Sequence, residues 1–367
     1  MVGAGRVDDN IGTARGLRED ARVIECADHR LDPEFAHTLT IKALSIVNTK
    51  VSLEPDDPRL RVQALGLEFP NPIGLTAGFD KNAQVTEAML SLGFGFVEAG
   101  TVTPRAQPGN PKPRVFRLVE DRAVINRLGF NNEGIEPARR RLTAVQGRPG
   151  IRGINIGANK DATDRVADYV TGLRELGTLG AYVTINISSP NTPGLRGLQN
   201  KDELKALLKA VTDTRANLPH RVPLLVKIAP DLDEQACADI AELALERGIE
   251  GLIVSNTTIA RPPSLQGAHA AETGGLSGAP LFEPSTEILR RMRRLTQGRI
   301  ILIGVGGVSS GADAYAKIRA GASLVQLYTA LTYDGPALVT RIKADLLTLM
   351  KRDGLTSIAS AVGQDLH

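Results

Sequence analysis

The stretch Tyr182-Val-Thr-Ile-Asn-Ile-Ser-Ser-Pro-Asn-Thr-Pro-Gly-Leu-Arg196 joins a short apolar run to a polar loop. Residues 182–187 have the composition of a strand buried on both faces of a parallel sheet. Proline fixes φ and removes a backbone donor, so Pro190 and Pro193 stiffen the loop and can hold its hydroxyl groups in one place. The stretch therefore predicts a buried strand whose carboxyl end carries chemistry.

Similar apolar runs recur along the chain, with helical periodicity between them, which indicates parallel β/α units. The predicted strands are residues 73–77, 96–100, 153–156, 182–187, 224–228, 251–254, 301–305 and 324–327. The predicted helices include residues 85–92, 164–176, 202–216, 233–246, 284–295 and 312–320. Eight such units would occupy residues 73–329, close to the roughly 250 residues typical of a closed barrel. We predict an α/β fold, a (β/α)8 TIM barrel with a small N-terminal helical extension.

The alternative fold is a doubly wound open sheet, which would have fewer strands and a recognisable dinucleotide loop. The first predicted strand instead leads into Thr76-Ala-Gly-Phe-Asp-Lys81, which does not match GxGxxG. Two alternating stretches, near residues 61–69 and 115–125, predict hairpins added to the barrel.

Composition excludes several classes of protein. The net charge is +3 and no basic stripe carries interleaved aromatics, which argues against a nucleic-acid partner. Cys26 and Cys237 form no CxxC pair and the histidines show no metal spacing, so we expect neither a disulfide framework nor a metal site. No apolar stretch reaches the roughly 18–20 residues of a spanning helix, and no signal or transit peptide is expected.

Polar residues follow the predicted strands, where a barrel places its active site. Five of them are the asparagines Asn126, Asn155, Asn186, Asn191 and Asn256. A single such residue is usually a loop cap, but an amide offers both donors and an acceptor, so a ring of amides suits a planar nitrogen heterocycle.

Glycines gather after the last two predicted strands, in Gly304-Val-Gly-Gly307 and near Tyr328-Thr329. Backbone amides after strands 7 and 8 are the usual phosphate site of a barrel. For any one glycine a tight turn is the commoner explanation. A third cluster, Thr273-Gly-Gly-Leu-Ser-Gly278, lies in an adjacent long loop and favours a phosphate-bearing cofactor.

Lys81 and Lys227 stand at strand ends. Solvation at the barrel rim is one interpretation, and a fixed cation that stabilises negative charge on a bound cofactor is the other. No cysteine lies in the strand-end loops and no histidine clearly does, since His269 is in an alanine-rich stretch, so a catalytic base would have to be a hydroxyl, a lysine or an acid.

Together these motifs resemble the class 2, quinone-linked dihydroorotate dehydrogenases of pyrimidine synthesis. The resemblance runs from about Leu31 to near Leu346 and rests on collinear motifs at residues 77–81, 100–104, 126–132, 153–157, 186–196, 226–231, 256–258, 273–278, 304–307 and 321–329. It implies one FMN per chain, dihydroorotate as substrate, orotate as product, and a membrane quinone as electron acceptor.

The resemblance also implies site residues. Ser189 would be the catalytic base that takes the C5 proton, while FMN takes the C6 hydride; the class with soluble acceptors has a cysteine there. The implied substrate contacts are Lys81, Asn126, Arg127, Leu128, Gly129, Phe130, Asn186, Asn191, Asn256 and Thr257. The implied FMN contacts are Ala77, Gly78, Phe79, Asp80, Lys81, Thr101, Asn155, Asn186, Lys227, Ser255, Gly278, Gly307, Tyr328 and Thr329.

A free hydroxyl is a weak base at neutral pH, so the proton needs an onward path. We expect that path to use Thr192 and a water, with Phe130 limiting solvent. Strand-like alternation turns Ser188 the other way, which makes it the expected inert neighbour.

Class members begin with a small helical pair that rests on the membrane. Asp32-Pro33 is a good helix start, and Phe35, Leu39, Ala43 and Ile46, joined by Ala36 and Val47, form an apolar stripe. Residues 21–30 are more charged than such a helix, so attachment is expected to be peripheral, on the cytoplasmic side of a bacterial inner membrane. The alternative is an ordinary helix packed on the barrel. The implied quinone-site residues are His37, Arg117 and Tyr328.

The expected division of the chain is a partly helical tail at 1–30, a helical segment for membrane contact and quinone access at 31–50, a linker and hairpin at 51–72, the FMN-binding barrel at 73–352 and a C-terminal tail at 353–367.

The nearest alternative function is that of a related FMN barrel, such as a dihydropyrimidine dehydrogenase domain or a dihydrouridine synthase. Those enzymes use a cysteine as the acid or base, and this chain has none in its strand-end loops. A silent flavin-binding protein is the remaining alternative, which Ser189, Lys81 and Asn191 argue against.

Overall fold

The computed structural model describes residues 31–46 and 55–366. Its strands, in chain order, are β1 Val62–Ala64, β2 Leu67–Phe69, β3 Ile73–Leu75, β4 Phe96–Val102, β5 Val115–Leu118, β6 Ala123–Asn126, β7 Ile151–Ile156, β8 Tyr182–Asn186, β9 Leu224–Ile228, β10 Gly251–Val254, β11 Gly275–Gly278, β12 Ile301–Val305 and β13 Leu324–Leu327. β3, β4, β7, β8, β9, β10, β12 and β13 close a parallel barrel in that order. Because β13 pairs with β3, the sheet has no open edge. The predicted TIM barrel is confirmed and the open sheet is excluded.

The helices, in chain order, are α1 Pro33–Ile46, α2 Thr86–Ser91, α3 Ile135–Ala144, α4 Arg165–Leu176, α5 Lys201–Ala216, α6 Glu234–Glu246, α7 Phe282–Thr296, α8 Gly311–Arg319, α9 Leu331–Asp334 and α10 Leu338–Arg352. Side-chain caps fix three of the starts. Asp164, Asp233 and Ser310 accept a hydrogen bond from the backbone amide three residues later, which satisfies a donor that the helix leaves unpaired. The barrel strands are buried between these helices and the barrel interior.

Both predicted hairpins form. β1 pairs antiparallel with β2, and β5 with β6. The glycine cluster at 273–278, expected as a loop, is partly a strand, since β11 pairs antiparallel with β6. The reason is a second small core in which Leu276 is buried against Leu118 and Ile125. This three-stranded sheet covers one side of the barrel mouth.

The helix α1 packs one face on the barrel and leaves the other exposed. Ile41 and Leu44 are buried, whereas Phe35 is 59% exposed and Ile46 81% exposed. Glu34 anchors the helix through two hydrogen bonds from the Arg114 guanidinium, at 2.6 and 3.0 Å. The expectations for residues 1–30, for Val47 and for the start of the linker lie outside the described residues.

The chain beyond α10 packs back on the barrel. Ile358 and Ala361 are buried in a short 3-10 turn, and Asp365 forms an ion pair with Arg319 at 2.6 Å. Among residues 31–46 and 55–366, no helix combines the length and apolar character needed to span a bilayer.

Candidate active site

A cavity opens at the carboxyl ends of the barrel strands and extends beneath α1 and the three-stranded sheet. Its volume is about 270 Å³, close to the lower end of the roughly 300–1,000 Å³ typical of a pocket for a small molecule.

Most of the site residues expected from the sequence line this cavity. They are His37, Ala77, Gly78, Phe79, Lys81, Thr101, Arg117, Asn126, Leu128, Gly129, Phe130, Asn186, Ser189, Asn191, Lys227, Ser255, Asn256, Thr257, Gly278, Gly307, Tyr328 and Thr329. Four other expected residues, all within the described part of the chain, do not line it: Asp80, Arg127, Asn155 and Thr192.

Ser189 lies in the loop after β8 and is 5% exposed. Its Oγ accepts a hydrogen bond from the backbone amide of Asn191 at 3.3 Å. The Asn191 amide donates in turn to the backbone carbonyl of Asn126 at 3.1 Å and to its side-chain oxygen at 3.3 Å. The loop that carries the hydroxyl is thus fastened to the end of β6.

Asn155 belongs to a buried network beneath the cavity rather than to its wall. Its Oδ1 accepts from Thr101 Oγ1 at 2.6 Å and from Asn186 Nδ2 at 3.2 Å. Its Nδ2 donates to Glu98 Oε1 at 2.8 Å. The other Glu98 oxygen accepts from Tyr182, Thr184 and Gln326. Asn155 therefore orients Thr101 and Asn186, which do line the cavity.

Ser188 points away from the cavity, as strand-like alternation predicts, but it is not inert. Its Oγ donates to Asn186 Oδ1 at 2.9 Å and accepts from Asn256 Nδ2 at 2.9 Å. It thus joins two expected substrate residues from different strands. The bond to Asn256 could not be predicted from the sequence of the loop, because Asn256 lies 68 residues away in the chain.

Two lysines supply positive charge at the cavity wall. Lys227 is 5% exposed, and its Nζ donates to Thr76 Oγ1 at 2.9 Å. Lys81 makes no hydrogen bond or ion pair with the described residues. Burial lowers the pKa of Lys227, and burial lowers the pKa of Lys81 to about 8. Since an ammonium group has three donors, both can still bind an anionic or electron-rich ligand.

Glycines form one corner of the cavity, after β11 and β12. Gly278 and Gly307 have φ of 96° and 74°, where other residues are strained. A Cβ on Gly307 would lie 2.5 Å from the Cα of Phe282, in the first turn of α7. Backbone amides here can approach an anion closely. This corner therefore fits the phosphate group of a cofactor.

His37 and Tyr328 meet where α1 covers the cavity. Tyr328 Oη lies 3.4 Å from His37 Nδ1, and the His37 ring packs edge-on against Phe79 at 5.3 Å. Burial lowers the pKa of His37 to about 3, so its imidazole is neutral. The Arg117 guanidinium donates to the Leu31 carbonyl at 2.7 Å, which ties β5 to the start of this helical segment.

Two of the expected contacts, Asp80 and Arg127, have side chains that bind other residues of the chain. The Asp80 carboxylate accepts from the backbone amides of Asn82, Gln84 and Val85, so it shapes the loop after β3. The Arg127 guanidinium binds Glu272 at 2.7 Å and lies over the Phe116 ring. Thr192 is buried, and its Oγ1 has no hydrogen-bond partner among the described residues.

Sequence reasoning missed several cavity residues. Thr76 holds Lys227, and Ser277 on β11 accepts from Thr329 Oγ1 at 2.9 Å. Ser277 belonged to the glycine cluster already singled out, so the composition of that cluster was the available signal. In the described residues no group of three or more histidine, cysteine, aspartate or glutamate side chains could hold a metal ion.

Comparison with known proteins identifies the relatives. The family model described as dihydroorotate dehydrogenase matches residues 59–350. The chain is 59% identical over 337 residues to a dihydroorotate dehydrogenase (quinone) of Parvibaculum lavamentivorans, covering 92% of this chain and 96% of the relative. It is 56% identical over 341 residues to one of Azorhizobium caulinodans, covering 91% of this chain and 96% of that relative.

Solved structures agree. The fold is similar to that of a DHODH from Eimeria tenella in complex with ferulenol, with a TM-score of 0.87 and 43% identity over 91% of this chain and 96% of that one. The ligand-free form from the same organism gives 0.88 and 43% over 92% and 100%.

Proposed function

The chain belongs to the dihydroorotate dehydrogenase family, and from this premise we propose that it oxidises dihydroorotate to orotate in pyrimidine synthesis and passes the electrons to a quinone. The observation that carries the proposal is that Ser189, Lys81 and Lys227 line one cavity. A base, a cation for a carboxylate and a cation for an electron-accepting cofactor are the groups that this oxidation requires.

Ser189 is the proposed base that removes the C5 proton. Its Oγ accepts only the 3.3 Å hydrogen bond from the Asn191 amide among the described residues, so the hydroxyl hydrogen is free to leave along a relay. Thr192 Oγ1, buried and without a partner among those residues, is the proposed next group. Phe130 lines the cavity and is proposed to limit solvent.

The substrate is proposed to lie among the asparagine amides. Asn126, Asn191 and Asn256 line the cavity and offer donors and acceptors to the ring nitrogens and carbonyls of a dihydropyrimidine. Lys81, with no partner among the described residues, would bind the substrate carboxylate. Ser188 would hold Asn186 and Asn256 in place for this contact.

FMN is the proposed cofactor, one per chain, and when bound it would accept the hydride from C6 of the substrate. The residues that would hold it are Lys227, Thr101, Asn186 and Ser255 beside the strand ends, with Gly278, Gly307 and Thr329 at the phosphate corner. Lys227 would stabilise negative charge on the cofactor, because a buried ammonium acts in a low dielectric.

Quinone is proposed to reach the cavity beneath α1, past His37, Arg117 and Tyr328. The exposed apolar face of α1 supports this location, since Phe35, Leu39 and Ile46 are exposed on the helix that covers the cavity. An interfacial helix binds a bilayer through such a face. We propose peripheral attachment to the cytoplasmic side of a bacterial inner membrane.

The proposal is tested by orotate formation with different acceptors. The purified protein should carry about one FMN per chain and form orotate with a ubiquinone analogue at a rate far above that with fumarate or NAD. Preference for fumarate or NAD would contradict the quinone-linked class, and no orotate with any acceptor would contradict the activity itself.

A further inference from the structure

Arg196 lies at the end of the Ser189 loop, outside the set of proposed site residues, yet its guanidinium contacts three loops of the barrel mouth. Its Nε donates to the carbonyl of Ser188 at 3.0 Å, and Nη2 donates to the carbonyl of Thr257 at 2.9 Å. Nη1 binds Asp231 Oδ2 at 2.8 Å. The loops after β8, β9 and β10 therefore meet on one side chain.

Asp231 fixes the guanidinium in turn. Its Oδ1 accepts from the Thr258 hydroxyl, and its Oδ2 accepts from the backbone amide of Ile259 at 3.2 Å. Both donors belong to the loop that carries Asn256 and Thr257. The aspartate and the arginine thus hold the same loop from two directions, and the planar fork of arginine cannot rotate without losing several bonds.

Of the two carbonyls that Arg196 binds, one is next to the proposed base and the other is in the segment proposed to bind the substrate. The Ser188 carbonyl immediately precedes Ser189, the proposed base. The Thr257 carbonyl belongs to the segment proposed to hold the substrate. The distance between base and substrate therefore depends on the fork of Arg196, which spans both carbonyls.

We propose that Arg196 is a positioning residue for proton removal, which holds the Ser189 loop at a fixed distance from the loop that binds the substrate. The inference rests on the proposed function. Lysine could keep the ion pair with Asp231, but as a point charge it has no fixed fork to span both carbonyls. Misplacement of reacting groups by about 1 Å can cost about 100-fold in rate.

Arg165 provides a matched control, because it also donates to carbonyls of this loop. Its Nη1 binds the Gly194 carbonyl at 2.8 Å and its Nη2 binds the Pro193 carbonyl at 2.6 Å. Unlike Arg196, Arg165 binds neither the Ser188 carbonyl nor the Thr257 carbonyl. Arg165→Lys should therefore disturb the loop without changing the spacing between base and substrate.

The experiment measures anaerobic cofactor reduction in the FMN-loaded enzyme with dihydroorotate deuterated at C5 or at C6. Arg196→Lys should slow reduction about 10- to 100-fold and raise the C5 isotope effect, because proton removal becomes more rate-limiting. The C6 isotope effect should not rise, and the orotate Kd should change less than about tenfold because Lys81 and Asn126 lie on other elements. Arg165→Lys should leave the C5 isotope effect at the wild-type value.

Asp231→Asn is the second variant, which tests the inference even if Arg196→Lys does not fold. It removes the ionic partner and should raise the C5 isotope effect in the same direction. The inference would be overturned if the C5 isotope effect in both Arg196→Lys and Asp231→Asn equalled the wild-type value. It would also be overturned if Arg165→Lys raised the C5 isotope effect as much as Arg196→Lys does. Either result would leave the proposed function intact. If the wild-type enzyme does not oxidise dihydroorotate, the proposed function itself is wrong.

Discussion

Ser188 Oγ and Asn256 Nδ2 are joined by a hydrogen bond of 2.9 Å between the loops that follow β8 and β10. The serine that faces away from the cavity thus supports an amide that faces into it. The next residue, Ser189, faces the cavity and has only a backbone donor at its Oγ among the described residues. Two adjacent serines therefore have different roles, one structural and one proposed to be chemical.

Ser189→Ala should retain FMN, because the groups proposed to hold the cofactor lie elsewhere, but should slow cofactor reduction by dihydroorotate about 10²- to 10⁴-fold. Ser188→Ala should mainly weaken orotate binding, because Asn256 loses its acceptor, and should slow reduction far less. Rapid-mixing absorbance and orotate titration measure the two effects. A loss below about tenfold in Ser189→Ala would remove the serine from the role of base.

Lys227→Met should weaken FMN binding about 10- to 100-fold, since hydrogen bonds to charged groups contribute about 1.5–3 kcal/mol. The methionine keeps the apolar stem and leaves the Thr76 hydroxyl without its donor. Lys205→Met, on the exposed face of α5, is the matched control. FMN content after dialysis measures the effect, and full content with an unchanged reduction rate would make Lys227 merely structural.

The affinity of the enzyme for orotate should fall as the pH rises above about 8, the pKa of Lys81 in the unliganded enzyme. Burial lowers the pKa of Lys81 to about 8, so its ammonium is present below that pH and is lost above it. Because the substrate carboxylate stays ionised, affinity should fall by up to about tenfold per pH unit above the pKa. Titrations from pH 6.5 to 9 measure this dependence. Lys81→Met should bind weakly with a flatter profile, and an identical slope in both proteins would assign the titration to another group.

The double substitution Phe35→Ser and Leu39→Ser should reduce binding to anionic vesicles and slow reoxidation by a long-chain quinone, while reoxidation by a small soluble dye stays unchanged. Both side chains are at least half exposed, so the barrel should remain folded. Deletion of residues 1–48 is a less direct test, because it would remove Glu34 and leave the buried Arg114 without its carboxylate. Thr38→Ala, at an exposed polar position of the same helix, is the control. Equal slowing with both acceptors would make α1 a structural brace.

Much of the fold follows from local sequence. The barrel strands are short apolar runs, and helix starts such as Asp164 and Asp233 carry their own capping signal. The strand at 275–278 was not predictable in this way, because glycines favour a loop locally and only pairing with β6, about 150 residues earlier, makes it a strand.

Some of the candidate site residues could likewise be identified from local sequence, whereas the roles of others depend on residues distant in the chain. Lys81, Lys227 and Ser189 could be identified as candidates because each lies at or after the carboxyl end of a strand, and a barrel gathers those ends at one face. The roles of Asn155 and Ser188 could not, because they depend on partners from other strands such as Glu98 and Asn256. The contacts of the Arg127 guanidinium with Glu272 and Phe116 could not be predicted either, because both partners are distant in the chain.

The measurement that tests the central claim most directly is an anaerobic titration of the FMN-loaded protein with dihydroorotate, followed by addition of a quinone. The account predicts that about one equivalent of dihydroorotate bleaches the flavin absorbance, that one equivalent of orotate appears, and that quinone restores the yellow colour. A flavin that stays oxidised with excess dihydroorotate would contradict the account, and so would a bleached flavin that quinone does not reoxidise.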